Sequence, residues 1–79
     1  MDYTTATPAQ LGLVLQGRRK QLGLTQHQLG TKVGLAQKAV SLLESNPSRT
    51  SVERLFRLLS ALELQLVLRD KRQQPETEW

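Results

Sequence analysis

The sequence predicts an all-α domain of four helices, extended at its C-terminal end by one strand that pairs across a homodimer. Three observations carry this expectation. Apolar residues recur at helical spacing from Leu11 to Leu62, glycines and prolines interrupt that pattern at short intervals, and beyond Leu62 the period changes to two. At 79 residues the chain holds one domain with one core, a size at which oligomerisation is a common source of additional buried area.

The elements follow in order. Residues 1–7 read as a flexible polar lead-in, and Pro8 suits the first turn of a helix. Leu11, Val14, Leu15 and Leu22 give that helix its apolar side, and Gly23 closes it. Arg18 and Arg19, near its end, can complement the helix dipole or reach a phosphate. Thr25 starts the second helix: Gln28, three residues on, completes a capping box, and Leu24 with Leu29 forms the staple across it. Leu29 and Val33 are its buried side, and Gly34 ends it. A third helix runs from about Ala36 to Ser45 with Ala39, Val40 and Leu43 inward, and Asn46-Pro47-Ser48 breaks the chain. The fourth begins at Thr50 or Ser51, with Thr50 and Glu53 as a second capping box. Its stripe is Val52, Leu55, Phe56, Leu59 and Leu62.

Leu64, Leu66 and Leu68 then alternate with Gln65, Val67 and Arg69, the period of a strand. A single strand cannot satisfy its own hydrogen bonds, and the chain offers no second strand candidate. The economical partner is the same segment of a second copy, antiparallel about a two-fold axis, with Leu64, Leu66, Val67 and Leu68 at the interface. The other reading of this alternation is an edge packed on its own core. The domain is therefore expected over residues 8–70, and residues 71–79 read as a flexible polar tail that ends in Trp79.

Composition narrows the function. Eleven Lys and Arg against seven Asp and Glu leave a net charge of +4, which suits a polyanion, either nucleic acid or an anionic membrane surface. The basic residues do not share one amphipathic stripe, which disfavours the membrane. There is no cysteine, and the single histidine, His27, reads as an exposed helix residue. No carboxylate pair, Ser/His/Asp set or phosphate loop is present, so neither an enzyme nor a cofactor is expected. No apolar run approaches a membrane span and the first eight residues lack the apolar core of a secretory signal, so a cytoplasmic location is expected.

The informative segment is Gln26 to Ser45. Two short helices that cross tightly need a small residue at the approach and a turn residue tolerant of the left-handed conformation. Gly30 and Gly34 stand at those points, with Leu29, Val33, Leu35, Val40 and Leu43 as the apolar positions around them. The run Gly23-Leu24-Thr25-Gln26-His27-Gln28-Leu29-Gly30, then Val33-Gly34-Leu35-Ala36-Gln37, then Val40-Ser41-Leu42-Leu43-Glu44 resembles the Cro/C-type, lambda repressor-like helix-turn-helix family over about residues 11 to 62. Asn46-Pro47, the stretch Leu62-Glu63-Leu64-Gln65-Leu66 and the ending Glu78-Trp79 are similar to the HipB-type antitoxins within that family. The chain departs from the family pattern at Ala36, Ala39 and Leu42.

The resemblance implies site residues. It implies a recognition helix that begins at Gln37, whose amide can pair with adenine N6/N7 in the major groove. Lys38 can donate to guanine O6/N7 or to a phosphate, and Ser41 can reach a base edge or a phosphate. Gln26 would hold a phosphate and brace the recognition glutamine, with the helix start at Thr25 adding backbone amides. Arg18 and Arg49 are further candidates for the DNA backbone. The implied function is sequence-specific repression by an antitoxin that regulates its own operon. Its partners would be double-stranded operator DNA, a second copy of itself, and a HipA-type Ser/Thr kinase toxin met in part by Trp79. Two other readings remain at this point: a stand-alone phage-like repressor, and a protein-binding inhibitor whose helix-turn-helix is vestigial.

Overall fold

The structure is a computed structural model and describes residues 2–72. Four α-helices follow one another: α1 (Pro8–Gln21), α2 (Gln26–Val33), α3 (Gln37–Ser45) and α4 (Val52–Ala61), with a 3-10 turn at Pro47–Arg49 between the last two. Leu15 of α1, Leu29 and Val33 of α2, Val40 and Leu43 of α3, and Leu58, Leu59 and Leu62 at the end of α4 are buried together. Leu11, Leu22, Leu24, Leu35, Leu55, Ala61 and Leu64 close over this cluster.

Local chemistry sets the helix boundaries. Pro8 occupies the first turn of α1, and the Thr7 hydroxyl accepts from the Gln10 amide. The capping box at α2 is complete: Thr25 Oγ1 accepts from Gln28 N, and Gln28 Oε1 accepts from Thr25 N. α3 has Ala36 at its N-cap and no side-chain bond there. α4 differs from the expectation. Its cap is Ser51, whose hydroxyl accepts from Arg54 N, and no Thr50–Glu53 box forms because Thr50 still belongs to the 3-10 turn, its amide donating to Pro47 O.

Three helices end in left-handed turns. Gly23 and Gly34 both have φ +72, as their positions after α1 and α2 required. α4 ends the same way on a non-glycine residue, Glu63 at φ 59. The pattern is a Schellman turn, with Glu63 N donating to Ser60 O and Leu64 N to Leu59 O, and Leu64 packs back on the core. Burial of Leu64 holds the turn that glycine would otherwise favour.

A further expectation is corrected at α4. Of its expected stripe, Leu59 and Leu62 are buried and Leu55 packs against the core, with Leu58 buried beside them, but Val52 and Phe56 are 67% and 48% exposed because α4 is covered on one side alone. The strand expected over Leu64 to Leu68, which needs a second copy to pair with, is absent from the single chain. The segment beyond Glu63 has no regular secondary structure among the described residues, and Leu66, Val67 and Leu68 are exposed. Among the described residues no second strand is present to supply the hydrogen bonds. Trp79 lies outside the described residues, as does most of the 71–79 tail.

Gly12, which the sequence reading passed over, fixes the approach of α1 to α3. A Cβ there would run into the Glu44 carbonyl oxygen and sit 3.2 Å from Pro47 Cγ. Gly17, on the same helix, has open space around it. Gly17→Ala should therefore stabilise the fold by about 0.4–1 kcal/mol through a less flexible unfolded chain. Gly12→Ala should destabilise it by about 1–3 kcal/mol by forcing α1 off α3. Thermal melts of the two variants should move in opposite directions, and a rise in both would mean that the α1–α3 contact has slack.

Candidate nucleic-acid interface

α3 is held from below by a buried polar cluster. Arg19 on α1 and Glu44 on α3 are each 8% exposed. The Arg19 guanidinium meets the Glu44 carboxylate with two bonds, Nε to Oε2 at 2.6 Å and Nη2 to Oε1 at 3.2 Å. Its third nitrogen, Nη1, donates to Leu24 O at 2.8 Å in the α1–α2 turn. Gln26 Nε2 at the start of α2 donates to Glu44 Oε1 at 3.1 Å. One carboxylate thus collects donors from two other helices, and all the polar atoms of the Arg–Glu pair are turned toward partners of opposite character.

This corrects the reading of Arg19, which neither decorates a helix end nor reaches out to a phosphate. A signal for it existed in the sequence. Arg19 continues the line Leu11, Leu15 at spacing of four, and Glu44 follows Val40 by four, so each charge stands on an inward-facing row. A pair of opposite charges on two buried rows is the combination that can be buried at tolerable cost. Gln26, expected to brace Gln37, makes its bond to Glu44 instead and ties the start of α2 to the end of α3.

Gly30 makes the α2–α3 crossing possible. A Cβ there would collide with Leu35 O, and Val40 Cγ2 would lie 3.4 Å away. With Val40, Leu43 and Glu44 committed inward, the helical advance of about 100° per residue puts Gln37, Ser41, Ser45 and Lys38 within one outward arc. Gln37 and Lys38 are exposed and Ser41 is half-buried. The Ser45 hydroxyl donates to Ser41 O at 2.9 Å. Thr25 is also exposed, and the Gln26 and His27 amides occupy the first positions of α2, which no helix satisfies internally.

The two arginine candidates fare differently. Arg49 is exposed in the 3-10 turn directly after α3. Arg18 is engaged within the fold: its Nε donates to Leu62 O at 3.0 Å, its Nη1 to Gln21 Oε1 at 3.4 Å, and Nη2 lies 3.8 Å from Glu63. It secures the α4 end against α1. A similar brace, absent from the sequence reading, is Arg57 of α4, which donates to Val33 O at the end of α2 and pairs with Glu53.

Two short helices crossing over a glycine, joined by a left-handed turn, with the second presented to solvent by its polar side, constitute a helix-turn-helix module. The helix-turn-helix family model matches residues 15–68. The antitoxin HipB of Escherichia coli strain K12 is 38% identical over 72 residues, covering 90% of this chain and 82% of that protein. The antitoxin HipB of Escherichia coli O6:H1 (strain CFT073) is 35% identical over 80 residues, covering 92% and 85%. The fold superposes on a HipB chain from an O2 20mer complex with a TM-score of 0.84 at 33% identity, covering 91% of this chain and 100% of that one. It superposes on one from a HipA-HipB-O2-O3 complex at 0.83 and 34% identity, covering 90% and 100%. The chain belongs to the helix-turn-helix family and, within it, to the HipB antitoxins.

The buried pair gives a direct test of what holds α3 in place. Arg19→Met leaves the Glu44 carboxylate buried without its cation and should cost about 3–5 kcal/mol, whereas Arg19→Met combined with Glu44→Leu should recover much of that loss. Urea titrations followed by circular dichroism measure both. A single variant with an unchanged midpoint would show that the pair contributes nothing to holding α1 and α3 together.

Proposed function

We propose that the chain is a HipB-type antitoxin: a homodimeric repressor that reads operator DNA in the major groove with α3 and binds a HipA-type kinase toxin. The observation that carries this is the match, over nearly its whole length, to HipB chains solved in complexes with O2 20mer and with HipA. The geometry agrees with it. α3 lies on the surface with its hydrogen-bonding side chains outward, and the net charge of +4 favours a polyanion.

Within this reading Gln37 pairs with a base edge, and Lys38 and Ser41 contact bases or the flanking backbone. Thr25, Gln26 and the amides at the start of α2 hold a phosphate. Arg49 adds a second cationic contact at the far end of α3, and Arg18 contributes mainly by securing α4. The homodimer supplies what a single chain lacks. Leu66, Val67 and Leu68 pair as a strand with the same segment of a second copy, which covers apolar surface that one chain leaves at water. Two modules related by a two-fold axis then address two half-sites about one helical turn apart. Trp79 would enter the toxin interface, since a tryptophan at the end of a polar segment is a strong anchor when a partner provides a pocket. No helix among the described residues is long and apolar enough to cross a membrane.

A gel shift with the DNA upstream of the chain's own gene tests the core of this reading, and a failure to bind it in preference to shuffled DNA would reject it. Gln37→Ala should lose about 1–3 kcal/mol of specific binding and almost none on shuffled DNA. Equal losses on both would assign Gln37 to the backbone. Val67→Pro removes a strand donor and should shift sedimentation toward monomer while the helices stay intact by circular dichroism. A variant that stays fully dimeric at nanomolar concentration would place the interface elsewhere.

A further inference from the structure

The outward side of α3 carries one group that DNA reading by Gln37, Lys38 and Ser41 leaves unused. Leu42 is 42% exposed and stands one turn after Lys38. It has no place in the core, because Val40, Leu43 and Glu44 occupy the inward arc of α3. Its neighbour Ser45 offers little to a ligand, since that hydroxyl is directed to Ser41 O. Beyond its first turn, the face presents the Ser41 hydroxyl and the isobutyl group of Leu42. A side chain in this position meets whatever the helix docks on.

Among the base edges of the major groove the distinctive apolar group is the C5-methyl of thymine, and the remaining readable features are hydrogen-bond donors and acceptors. We propose that Leu42 is a specificity-determining residue that packs on a thymine C5-methyl group in each half-site. The inference rests on the DNA-reading role of α3. Leu42 lies five residues beyond Gln37, which is about 7.5 Å along the helix axis. That distance corresponds to about two base steps, so the thymine belongs to a different position from the base that Gln37 reads. The two residues divide the half-site: an amide reads hydrogen-bonding groups at one position, and an aliphatic group reads a methyl further along. A leucine resting on the sugar of the groove wall would instead contact every sequence alike.

Uracil keeps every hydrogen-bonding group of thymine and lacks only the methyl, so the test needs no knowledge of the operator sequence. The probe is the DNA immediately upstream of the chain's own gene, prepared with thymidine or with deoxyuridine throughout. The full-length chain should bind the deoxyuridine duplex about fourfold more weakly for one methyl contact and about fifteenfold for two half-sites. Leu42→Ala, an exposed substitution whose folding is checked by circular dichroism, should lose that discrimination. Changes in DNA shape caused by uracil act on both proteins and cancel in the comparison. The same thymidine-to-deoxyuridine ratio for both proteins overturns the role of Leu42 and leaves reading by Gln37 standing, even if Leu42→Ala binds both duplexes more weakly. Failure of the unaltered chain to prefer the thymidine duplex over a shuffled one overturns the inference together with the DNA-reading role on which it rests.

Discussion

The Arg19–Glu44 pair is the constraint on which the rest of the structure depends. It lies under the helix-turn-helix, where a charge without a partner would cost several kcal/mol. Its geometry is demanding: two bonds between planar groups, a third from Arg19 to Leu24 O, and a fourth partner in Gln26. Hydrophobic contacts among the leucines are numerous but non-directional. They draw the helices together without specifying how one is rotated against another. The pair supplies that direction, because the carboxylate of α3 has to face the guanidinium of α1.

Orientation of α3 is therefore inherited from the inside of the molecule. With Glu44 turned inward, the helical repeat turns Gln37, Lys38 and Ser41 outward. The glycines complete the arrangement by permitting close backbone approach, Gly30 to Leu35 O and Gly12 to Glu44 O. Recognition of base edges rewards this rigidity, since a side chain held on a fixed helix gives up less freedom on binding than one on a loop. Gln26 links the start of α2 to the same carboxylate, so the start of α2 and the end of α3 are registered against each other by one buried group.

The unfinished side of the molecule is opposite in character. Val52 and Phe56 on α4, and Leu66, Val67 and Leu68 beyond it, remain at water in the single chain. A domain of this size has little core to spare, and so much apolar surface left exposed argues for association. Arg18 and the Glu63 turn hold the end of α4 where the chain leaves it, so the following segment departs from a fixed point.

The sequence alone determined where α1 and α2 begin and end, because those signals are local. Pro8, the Thr25–Gln28 box, Gly23 and Gly34 act within a few residues, and the structure has each in the expected role. The crossing at Gly30 was legible for a related reason: a glycine between rows of apolar residues at fixed spacing has few other uses. What the tertiary structure decided is what depends on distant partners. Arg19 reads in the sequence, with Arg18, as a cation at a helix end and becomes a buried partner of Glu44 only when α1 and α3 meet. Gly12 and Arg57 acquire their roles in the same way, from atoms that lie far away along the chain. Val52 and Phe56 satisfied the helical period and still remained outside, because period identifies a face but not whether anything covers it. The alternation after Glu63 likewise encodes a capacity to pair, and hydrogen bonding requires a second strand, which the described residues of one chain do not supply.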